Sequence, residues 1–315
     1  WSSDVCSSDL EMIYDVIIIG AGPAGLAAGI YGKRAGLSTL ILDTSSISGG
    51  QILNTYEVDN YPGLPGISGQ DLADDMRSHC EKLGVPFARG RVSSIINKGE
   101  VKELITRKET FVTKTVIIAT GATNRKLGCP GEEELSGLGV SYCATCDGAF
   151  FKDKEVAVVG GGDVALEDAV YLSRFCSKVN LIHRRDEFRG AAILQEQVHK
   201  AENINLILDS TVKSINGTNS VESITIENKK TKEEGGLALA GVFIAVGTVP
   251  NTNIEGLPQM DDGGYIIADE TGKTSIDGIF AAGDVRTKQL RQVITATSDG
   301  ANCITSVFNY LGNNK

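Results

Sequence analysis

Residues 14–25 read YDVIIIGAGPAG, and this stretch decides the fold. The run from Val16 to Ile19 is continuously apolar, as expected for a strand that is buried on both faces. It leads into a glycine-rich turn, Gly20 to Gly25, then helix-forming residues to about Ala35 and a second apolar strand, Ser38 to Leu42. The sequence therefore predicts a strand–turn–helix–strand unit of a parallel sheet.

The same pattern occurs again in the middle of the chain. Residues 155–165 read EVAVVGGGDVA, a helix is expected to about Phe175, and a strand follows over Lys178 to Ile182. In each unit the first glycine permits a tight turn, the second lets the backbone approach a pyrophosphate, and the third position, Gly25 or Ala165, lets helix and strand pack closely. The pyrophosphate would bind at the helix N-terminus. We therefore predict two dinucleotide-binding units, with two ordinary glycine turns as the alternative.

The two units differ at the end of the second strand, where a dinucleotide places its adenosine ribose. The first unit has Asp43, about 20 residues beyond its glycines, where a carboxylate usually binds the ribose 2′-hydroxyl. An aspartate at a strand end can also simply cap a turn. The second unit has Arg184, Arg185 and Arg189, whose guanidinium groups match a 2′-phosphate. We therefore predict NADPH rather than NADH in the second unit; a solvated basic edge is the alternative.

A third motif lies near the C-terminus, where residues 278–285 read GIFAAGDV. Asp284 is suited to accept hydrogen bonds from a polyol such as the ribityl chain of a flavin. A helix that begins near Arg291 would direct its N–H groups at the flavin pyrimidine edge and stabilise charge on the reduced ring. The motif therefore predicts that the first unit and the C-terminal segment bind FAD together.

A Cys-x-x-Cys pair precedes the second unit, in the stretch YCATCDG at residues 142–148. Such a pair can be half of a zinc site, but no second pair follows and the chain has only three histidines. Two inert buried thiols are another alternative. A redox-active dithiol is favoured, because the motif closes a small ring and lowers the pKa of one thiol. Asp147 adjoins the pair and can pass a proton to a leaving thiolate.

The fold class predicted from these motifs is α/β, with two Rossmann-like three-layer nucleotide-binding domains. Two apolar strands that end in glycine, at residues 115–121 and 241–247, flank the second unit and are interpreted as the crossings between domains. We expect residues of about 12–122 and 251–315 to form an FAD-binding domain. Residues of about 123–250 would be an inserted NADPH-binding domain that carries the cysteine pair.

Composition limits the remaining classes of protein. The chain has 315 residues, 41% of them hydrophobic and 22% charged, so two globular domains are expected and wholesale disorder is excluded. A net charge of −10 argues against a nucleic-acid partner. No apolar run is long enough to cross a bilayer, so no membrane contact is expected. Seven cysteines, a sparse and odd number, argue against a secreted disulfide scaffold and favour a reducing compartment, the cytoplasm.

The first eleven residues are interpreted as a non-native leader. They are rich in serine and aspartate, and they precede Met12, which opens the strand pattern. We expect them to have no part in the fold.

Together the motifs resemble those of the low-molecular-weight bacterial thioredoxin reductases, a family of flavoprotein disulfide reductases. The resemblance extends from about Met12 onward and rests on GAGPAG, GGQILNTYEVDNYPG, YCATCDG, GGGDVALEDA, HRRDEFR, and AAGDV with RQV. It implies that electrons pass from NADPH to FAD, then to a Cys143–Cys146 disulfide, and finally to oxidised thioredoxin. It also implies a homodimer. Val164 is a departure, because a small polar residue is often found at that place in the nucleotide turn.

The predicted site residues follow from these motifs and from the resemblance. Those predicted for catalysis are Cys143, which by resemblance attacks thioredoxin, Cys146, which faces the flavin, and Asp147. Those predicted to bind FAD are Gly20, Gly22, Pro23, Ala24, Gly25, Asp43, Gly50, Gln51, Asn60, Gly121, Gly283, Asp284, Arg291, Gln292 and Val293. Those predicted to bind NADPH are Gly160, Gly162, Asp163, Val164, Ala165, His183, Arg184, Arg185 and Arg189. No metal ligands are predicted.

Two other functions stay open at this point. One is an FAD- and NADPH-binding redox sensor whose cysteine pair is regulatory. The other is a related flavoprotein dithiol oxidoreductase that acts on a different disulfide partner. A ferredoxin-dependent branch is disfavoured, because it lacks the second glycine motif and the arginine cluster, and peroxide-reducing flavoproteins are disfavoured because they carry a large additional N-terminal region.

Overall fold

The computed structural model describes residues 12–55, 58 and 60–313. The predicted leader, residues 1–11, lies outside the described residues. The described chain divides into two compact units, each with its own internal contacts. The first unit contains residues 12–53, 69–122 and 250–313, and the second contains the described residues of 54–68 together with 123–249.

The helices and strands alternate along much of the chain. The strands are β1 (Ile13–Ile19), β2 (Thr39–Asp43), β3 (Phe87–Arg89), β4 (Val92–Asn97), β5 (Lys102–Thr106), β6 (Thr110–Ile118), β7 (Ala122–Asn124), β8 (Val140–Ser141), β9 (Glu155–Gly160), β10 (Lys178–Ile182), β11 (Ile204–Ile207), β12 (Ser210–Asn216), β13 (Ser223–Asn228), β14 (Glu234–Ala238), β15 (Gly241–Ala245), β16 (Thr248–Pro250) and β17 (Ile279–Ala281). The α-helices are α1 (Pro23–Arg34), α2 (Gly69–Lys82), α3 (Ala144–Asp147), α4 (Asp163–Ser173), α5 (Ala192–Lys200) and α6 (Val293–Asn313). Short 3-10 helices cover Gly50–Asn54, Gly148–Phe151 and Gly283–Val285.

The first unit is built on a largely parallel sheet in which the strands follow the order β3-β2-β1-β6. β1 is parallel to both neighbours, and Ile17 lies opposite Leu40 and Val116. β6 is long enough for two partners on its other side. Its beginning pairs antiparallel with β5, and its end pairs parallel with β17, which brings the C-terminal segment into the sheet.

β1 is buried on both faces, because alternate side chains enter two different hydrophobic cores. Val16 and Ile18 pack on the face covered by α1 and α6, whereas Ile17 and Ile19 pack on the opposite face. All four side chains are at most 5% exposed. This burial explains why the strand is continuously apolar in sequence and does not alternate with polar residues.

The second unit repeats the arrangement with an all-parallel sheet in the order β11-β10-β9-β15-β8. Val156 and Val158 of β9 face a core formed with α4. Ala157 and Val159 face a second core, which includes side chains of the antiparallel sheet β12-β13-β14. Each unit is therefore a layered, Rossmann-like α/β structure, as predicted.

The two strands interpreted as domain crossings are central strands of the two sheets, β6 and β15. The chain passes from one unit to the other just after them, at β7 and β16, which pair with each other. The helices of the two glycine motifs end slightly earlier than expected, at Arg34 and Ser173. The assignment of the units to FAD and NADPH stays a prediction. In the part of the chain that the structure describes, no helix is both long enough and apolar enough to cross a membrane.

Candidate functional site

The glycines of the first turn have three different surroundings. Gly20 has a φ of +111°, and a Cβ atom there would lie 2.3 Å from the backbone oxygen of Ala119. A Cβ at Gly25 would lie 1.9 Å from the backbone oxygen of Gly20. At Gly22 the nearest atom would be 3.9 Å away. The fold therefore requires the first and third glycines, while the second leaves space at the N-terminus of α1, which begins at Pro23.

Predicted FAD-binding residues from three distant segments lie together in the first unit. A Cβ at Gly50 would be 3.7 Å from the Cα of Gly22. A Cβ at Gly283 would be 2.9 Å from the Cβ of Ala24, in the first turn of α1. The glycine turn, the Gly50–Asn54 segment and the C-terminal Gly283–Val285 turn therefore meet at the start of α1.

Three other predicted FAD residues, Gln51, Gly121 and Asn60, are not tied to the start of α1 by the contacts just described. The Gln51 side-chain amide donates a hydrogen bond to the backbone oxygen of Ala122, beside Gly121. Gly121 has a φ of +69°, with no atom within 4 Å of a built Cβ. Asn60 is exposed and belongs to the 54–68 stretch of the second unit.

Asp43 links the end of β2 to the first glycine turn. Its Oδ2 accepts a hydrogen bond from the Ala21 N–H at 2.7 Å. Its Oδ1 accepts bonds from the backbone N–H of Thr44 at 2.6 Å and from the Thr44 hydroxyl at 3.2 Å. The carboxylate thus caps the turn after the strand, the alternative that the sequence left open. Its contact with a ribose stays a prediction.

Asp284 has an unpartnered oxygen in a buried position. Among the described residues, its Oδ1 has no hydrogen-bond partner, and burial raises the pKa of the carboxyl. Arg291 likewise has a buried Nε atom without such a partner, and its guanidinium lies 4.3 Å from the centre of the Tyr265 ring. Gln292 and Val293 stand at the start of α6. A buried oxygen of this kind needs a donor, which the hydroxyl groups of a polyol supply.

A buried charge cluster lies next to the Gly283–Val285 turn and was not predicted from the sequence. Asp299 of α6 accepts hydrogen bonds from the Gly283 N–H at 2.8 Å, from two guanidinium nitrogens of Arg286 at 2.8 and 2.9 Å, and from Lys288 Nζ at 2.9 Å. The three charged side chains are at most 4% exposed. A signal was present, because Asp299 is the one acidic residue in the sequence of α6.

In the second glycine turn, as in the first, one glycine is tightly surrounded and another has open space beside it. A Cβ at Gly160 would lie 2.3 Å from the backbone oxygen of Ala245 and 2.6 Å from the Cβ of Ala165, whereas nothing lies within 4 Å at Gly162. A Cβ at Gly161 would lie 2.2 Å from the His183 ring, so this histidine packs directly against the turn. The space beside Gly162 lies at the N-terminus of α4.

The predicted nucleotide residues around this turn differ in exposure. His183 is buried, its Nε2 has no partner among the described residues, and burial together with the neighbouring arginines lowers its pKa. The exposed Asp163 accepts a hydrogen bond from the Ala191 N–H at 2.7 Å. Val164 is 60% exposed, so no packing requirement explains the apolar residue at this place.

The arginine cluster is exposed at the end of β10. Within the described chain, the side chains of Arg184, Arg185 and Arg189 form no ion pair. The Arg189 N–H donates to the backbone oxygen of Gly161 at 2.7 Å, which brings the cluster to the glycine turn. Unpaired guanidinium groups beside the space at Gly162 form a suitable surface for a phosphate.

Cys143 and Cys146 form a disulfide, with their Cα atoms 5.3 Å apart. The one-turn helix α3 begins directly after Cys143, and the N–H groups of Cys146 and Asp147 donate to the Cys143 oxygen at 3.3 and 3.1 Å. This turn brings the two sulfurs together. The cysteines outside the pair that the structure describes are free thiols. Among the described residues, no group of three or more His, Cys, Asp or Glu side chains is arranged to hold a metal ion.

Asp147 lies at the end of α3, next to the disulfide. Burial raises the pKa of its carboxyl, and a hydrogen bond from the Ser141 hydroxyl opposes that shift. Ser141 Oγ is 2.5 Å from Asp147 Oδ2 and also accepts the Cys143 N–H at 3.0 Å. Asp147 was predicted from the sequence, whereas Ser141 was not. The available signal was a hydroxyl residue two positions before the first cysteine.

The similarities to known proteins cover nearly the whole chain. Residues 14–300 match the family model of the pyridine nucleotide-disulphide oxidoreductases. The thioredoxin reductase of Listeria innocua serovar 6a is 49% identical over 292 residues, which are 92% of this chain and 91% of the relative. That of Bacillus subtilis strain 168 is 46% identical over 303 residues, 96% of each chain. The solved thioredoxin reductase of Streptococcus pyogenes MGAS5005 superposes with a TM-score of 0.91 at 46% identity, covering 96% of this chain and 99% of that one.

Proposed function

The chain belongs to the pyridine nucleotide-disulphide oxidoreductases and, among them, to the thioredoxin reductases, and we propose from this membership that it reduces oxidised thioredoxin with electrons from NADPH. The observation that carries the proposal is the Cys143–Cys146 disulfide with the half-buried Asp147 carboxyl beside it. The disulfide supplies the dithiol for thiol–disulfide exchange, and a neighbouring proton donor assists departure of the leaving thiolate.

The cysteines act on thioredoxin in two exchange steps. The Cys143 thiolate attacks one sulfur of the thioredoxin disulfide, that disulfide breaks, and a mixed disulfide forms. Cys146 then attacks the Cys143 sulfur, which releases reduced thioredoxin and restores the Cys143–Cys146 disulfide. Asp147 supplies a proton to the leaving thiolate. Two electrons and two protons move to thioredoxin in each cycle.

The first unit fits FAD in two respects. Asp284 offers a buried, unpartnered carboxyl oxygen to the hydroxyl groups of the ribityl chain, and the open position at Gly22 leaves space for a pyrophosphate. The N-terminus of α6, next to Gln292, would stabilise charge on the ring. When bound, FAD supplies the two-electron chemistry that connects a nicotinamide to a disulfide.

The second unit fits NADPH in a corresponding way. The open position at Gly162 leaves space for a pyrophosphate at the N-terminus of α4. Arg184, Arg185 and Arg189 are available to bind the 2′-phosphate, which NADH lacks. The remaining predicted contacts of both nucleotides form part of the same proposal. We also propose that the protein works in the cytoplasm as a homodimer, on the family resemblance and on the sparse cysteines of the sequence.

A coupled assay tests the proposed activity. The purified yellow protein should consume NADPH only when thioredoxin and a terminal disulfide acceptor such as insulin are both present. Cys146→Ser should abolish this turnover, whereas Cys129→Ser, which alters a free thiol outside the pair, should retain it. Binding of FAD and NADPH without turnover would favour a redox sensor. Turnover with other disulfides but not with thioredoxin would favour a different partner.

A further inference from the structure

A serine hydroxyl connects the two parts of the disulfide site. Ser141 is the last residue of β8 and is 6% exposed. Its Oγ accepts the backbone N–H of Cys143 at 3.0 Å and lies 2.5 Å from Asp147 Oδ2. The backbone oxygen of Cys143, at 3.3 Å, is the other possible acceptor of the hydroxyl proton. The much shorter distance to the carboxylate identifies Asp147 as the preferred acceptor.

This geometry makes a short relay from backbone to carboxylate. The Cys143 N–H donates to the Ser141 hydroxyl, and the hydroxyl donates to Asp147. A hydroxyl that accepts one hydrogen bond becomes a better donor in the next, and bonds to an ionised acceptor are the stronger ones. The relay therefore holds the Asp147 carboxylate in a fixed position relative to the backbone of the first cysteine.

We propose that Ser141 is a positioning residue for the proton donor of the dithiol, which its hydroxyl ties to the backbone N–H of Cys143. The inference rests on the proposed function, because it concerns how Asp147 serves thiol–disulfide exchange. The two relay contacts of the Ser141 hydroxyl are to the Cys143 N–H and to Asp147 Oδ2, and neither involves a cysteine sulfur. It acts on the reaction through Asp147, by making this carboxyl a stronger acid and by keeping it close to Cys143.

The titration of Asp147 has to be distinguished from the titrations of other groups on the elements packed against α3. The 3-10 helix Gly148–Phe151, which packs against α3, carries no titratable side chain. The helix α4, which also packs against α3, carries four: Asp163, Glu167, Asp168 and Tyr171. Of these, Asp168 requires a control, because burial and the charge of Glu167 raise its pKa to about 7.

An NMR titration of the oxidised holoenzyme labelled with carboxyl-¹³C aspartate tests the proposal directly. Asp147→Asn identifies the signal of Asp147, and Asp168→Asn identifies that of Asp168. Ser141→Ala should move the Asp147 titration to higher pH by about one to two units, since a hydrogen bond to a charged group is lost. Ser141→Thr keeps the hydroxyl and should restore the original titration. The Asp168 titration should not move in either variant.

The kinetics provide a second readout. The pH profile of kcat/KM for thioredoxin should shift upward in Ser141→Ala by the same amount as the NMR titration, and Ser141→Thr should return it. A merely structural role would change the melting temperature or the rate at every pH without moving the profile. Ser141→Gly removes the hydroxyl in a different way and serves as the test if the alanine variant does not fold.

Two results would overturn the proposal. An unchanged Asp147 titration in both hydroxyl-free variants would show that Ser141 does not control the carboxyl. If Ser141→Ala shifts the titration and a folded Ser141→Thr protein does not return it to the original pH, the effect would be assigned to packing. The NMR titration does not depend on turnover. A wild-type enzyme without thioredoxin reduction would therefore contradict the proposed function alone.

Discussion

Arg286 and Asp299 form a buried bidentate ion pair, in which Nε of the arginine lies 2.9 Å from Oδ2 of the aspartate and Nη2 lies 2.8 Å from Oδ1. Lys288 adds a third bond to the same carboxylate. Because Asp299 also accepts the Gly283 N–H, the cluster fastens α6 to the turn that carries Asp284. The pair should therefore matter for the stability of the first unit and for the FAD binding that we propose for it.

Replacing Asp299 by Asn should strongly destabilise the first unit. The change leaves buried Lys288 without its counter-charge and leaves Arg286 with its ion pair to the exposed Glu270 at 3.1 Å. Breaking a buried pair at one partner costs about 3–5 kcal/mol. The shift of the chemical denaturation midpoint measures the loss. Glu196→Gln is the matched control, because it removes an exposed pair with Lys200 and should leave the midpoint nearly unchanged. Equally small effects of both substitutions would contradict the prediction.

Acid should remove part of the stability that Asp299 provides. Burial alone would raise the pKa of Asp299, but the hydrogen bonds from Arg286 and Lys288 outweigh it and lower the pKa. A lowered pKa in the folded state means that this stability is present above the ordinary carboxyl pKa, about 4, and is lost as the pH falls through the folded value. The stability difference between wild type and Asp299→Asn should therefore shrink in acid. Denaturation midpoints of both proteins, measured across the acid range, check this prediction. A midpoint difference that stayed constant as the pH fell would contradict it.

The two kinds of glycine should respond differently to alanine. At Gly162 nothing lies within 4 Å of an added Cβ, so Gly162→Ala should keep the melting temperature. The methyl group would occupy the space predicted for the pyrophosphate, so the KM for NADPH should rise by about tenfold. Gly160→Ala should instead destabilise the protein, because its Cβ would lie 2.3 Å from the Ala245 oxygen. Melting curves and NADPH kinetics of both variants check this, and an unstable Gly162→Ala protein would contradict it.

The elements that the sequence predicted well are those set by local patterns. The apolar run of β1, the turn glycines and the start of α1 are consecutive in sequence, so periodicity and turn chemistry identify them. The Cys143–Cys146 pairing could also be predicted, because one helical turn suffices to bring the two sulfurs together. The double role of β6, which pairs with β5 along one half and β17 along the other, depends on a contact between distant segments and could not be predicted in this way.

The site residues that the sequence analysis missed are those that act through long-range or side-chain contacts. Asp299 meets Arg286 only because α6 packs beside the Gly283–Val285 turn. Ser141 meets Asp147 only because α3 turns the chain back toward the end of β8. Neither residue belongs to a recognisable motif, and a lone Ser or Asp is usually an exposed polar residue. Their roles follow from three-dimensional burial and hydrogen bonding.

Neutralising the arginine cluster should change the choice of nucleotide. Arg184→Gln with Arg185→Gln removes the two charge-assisted contacts that we propose for the 2′-phosphate, so kcat/KM for NADPH should fall by about two orders of magnitude or more. NADH lacks this phosphate, and its kcat/KM should change little. Arg174→Gln with Lys200→Gln removes the same charge at positions outside the cluster and should preserve the preference for NADPH. An unchanged NADPH/NADH ratio in the cluster variant would show that the second unit binds the ribose differently.

Cys143 and Cys146 should react differently with thioredoxin. In Cys146→Ser the Cys143 thiol attacks thioredoxin but no second cysteine resolves the mixed disulfide, so a stable adduct should accumulate. In Cys143→Ser the attacking thiol is missing and little adduct should form. A single-cysteine thioredoxin carrying a thionitrobenzoate group makes the step visible, because each attack releases one coloured thiolate as the mixed disulfide forms. Mass spectrometry of the adduct then identifies the bonded cysteine, and the double serine variant gives the background. Adduct formation by Cys143→Ser but not by Cys146→Ser would reverse the two roles.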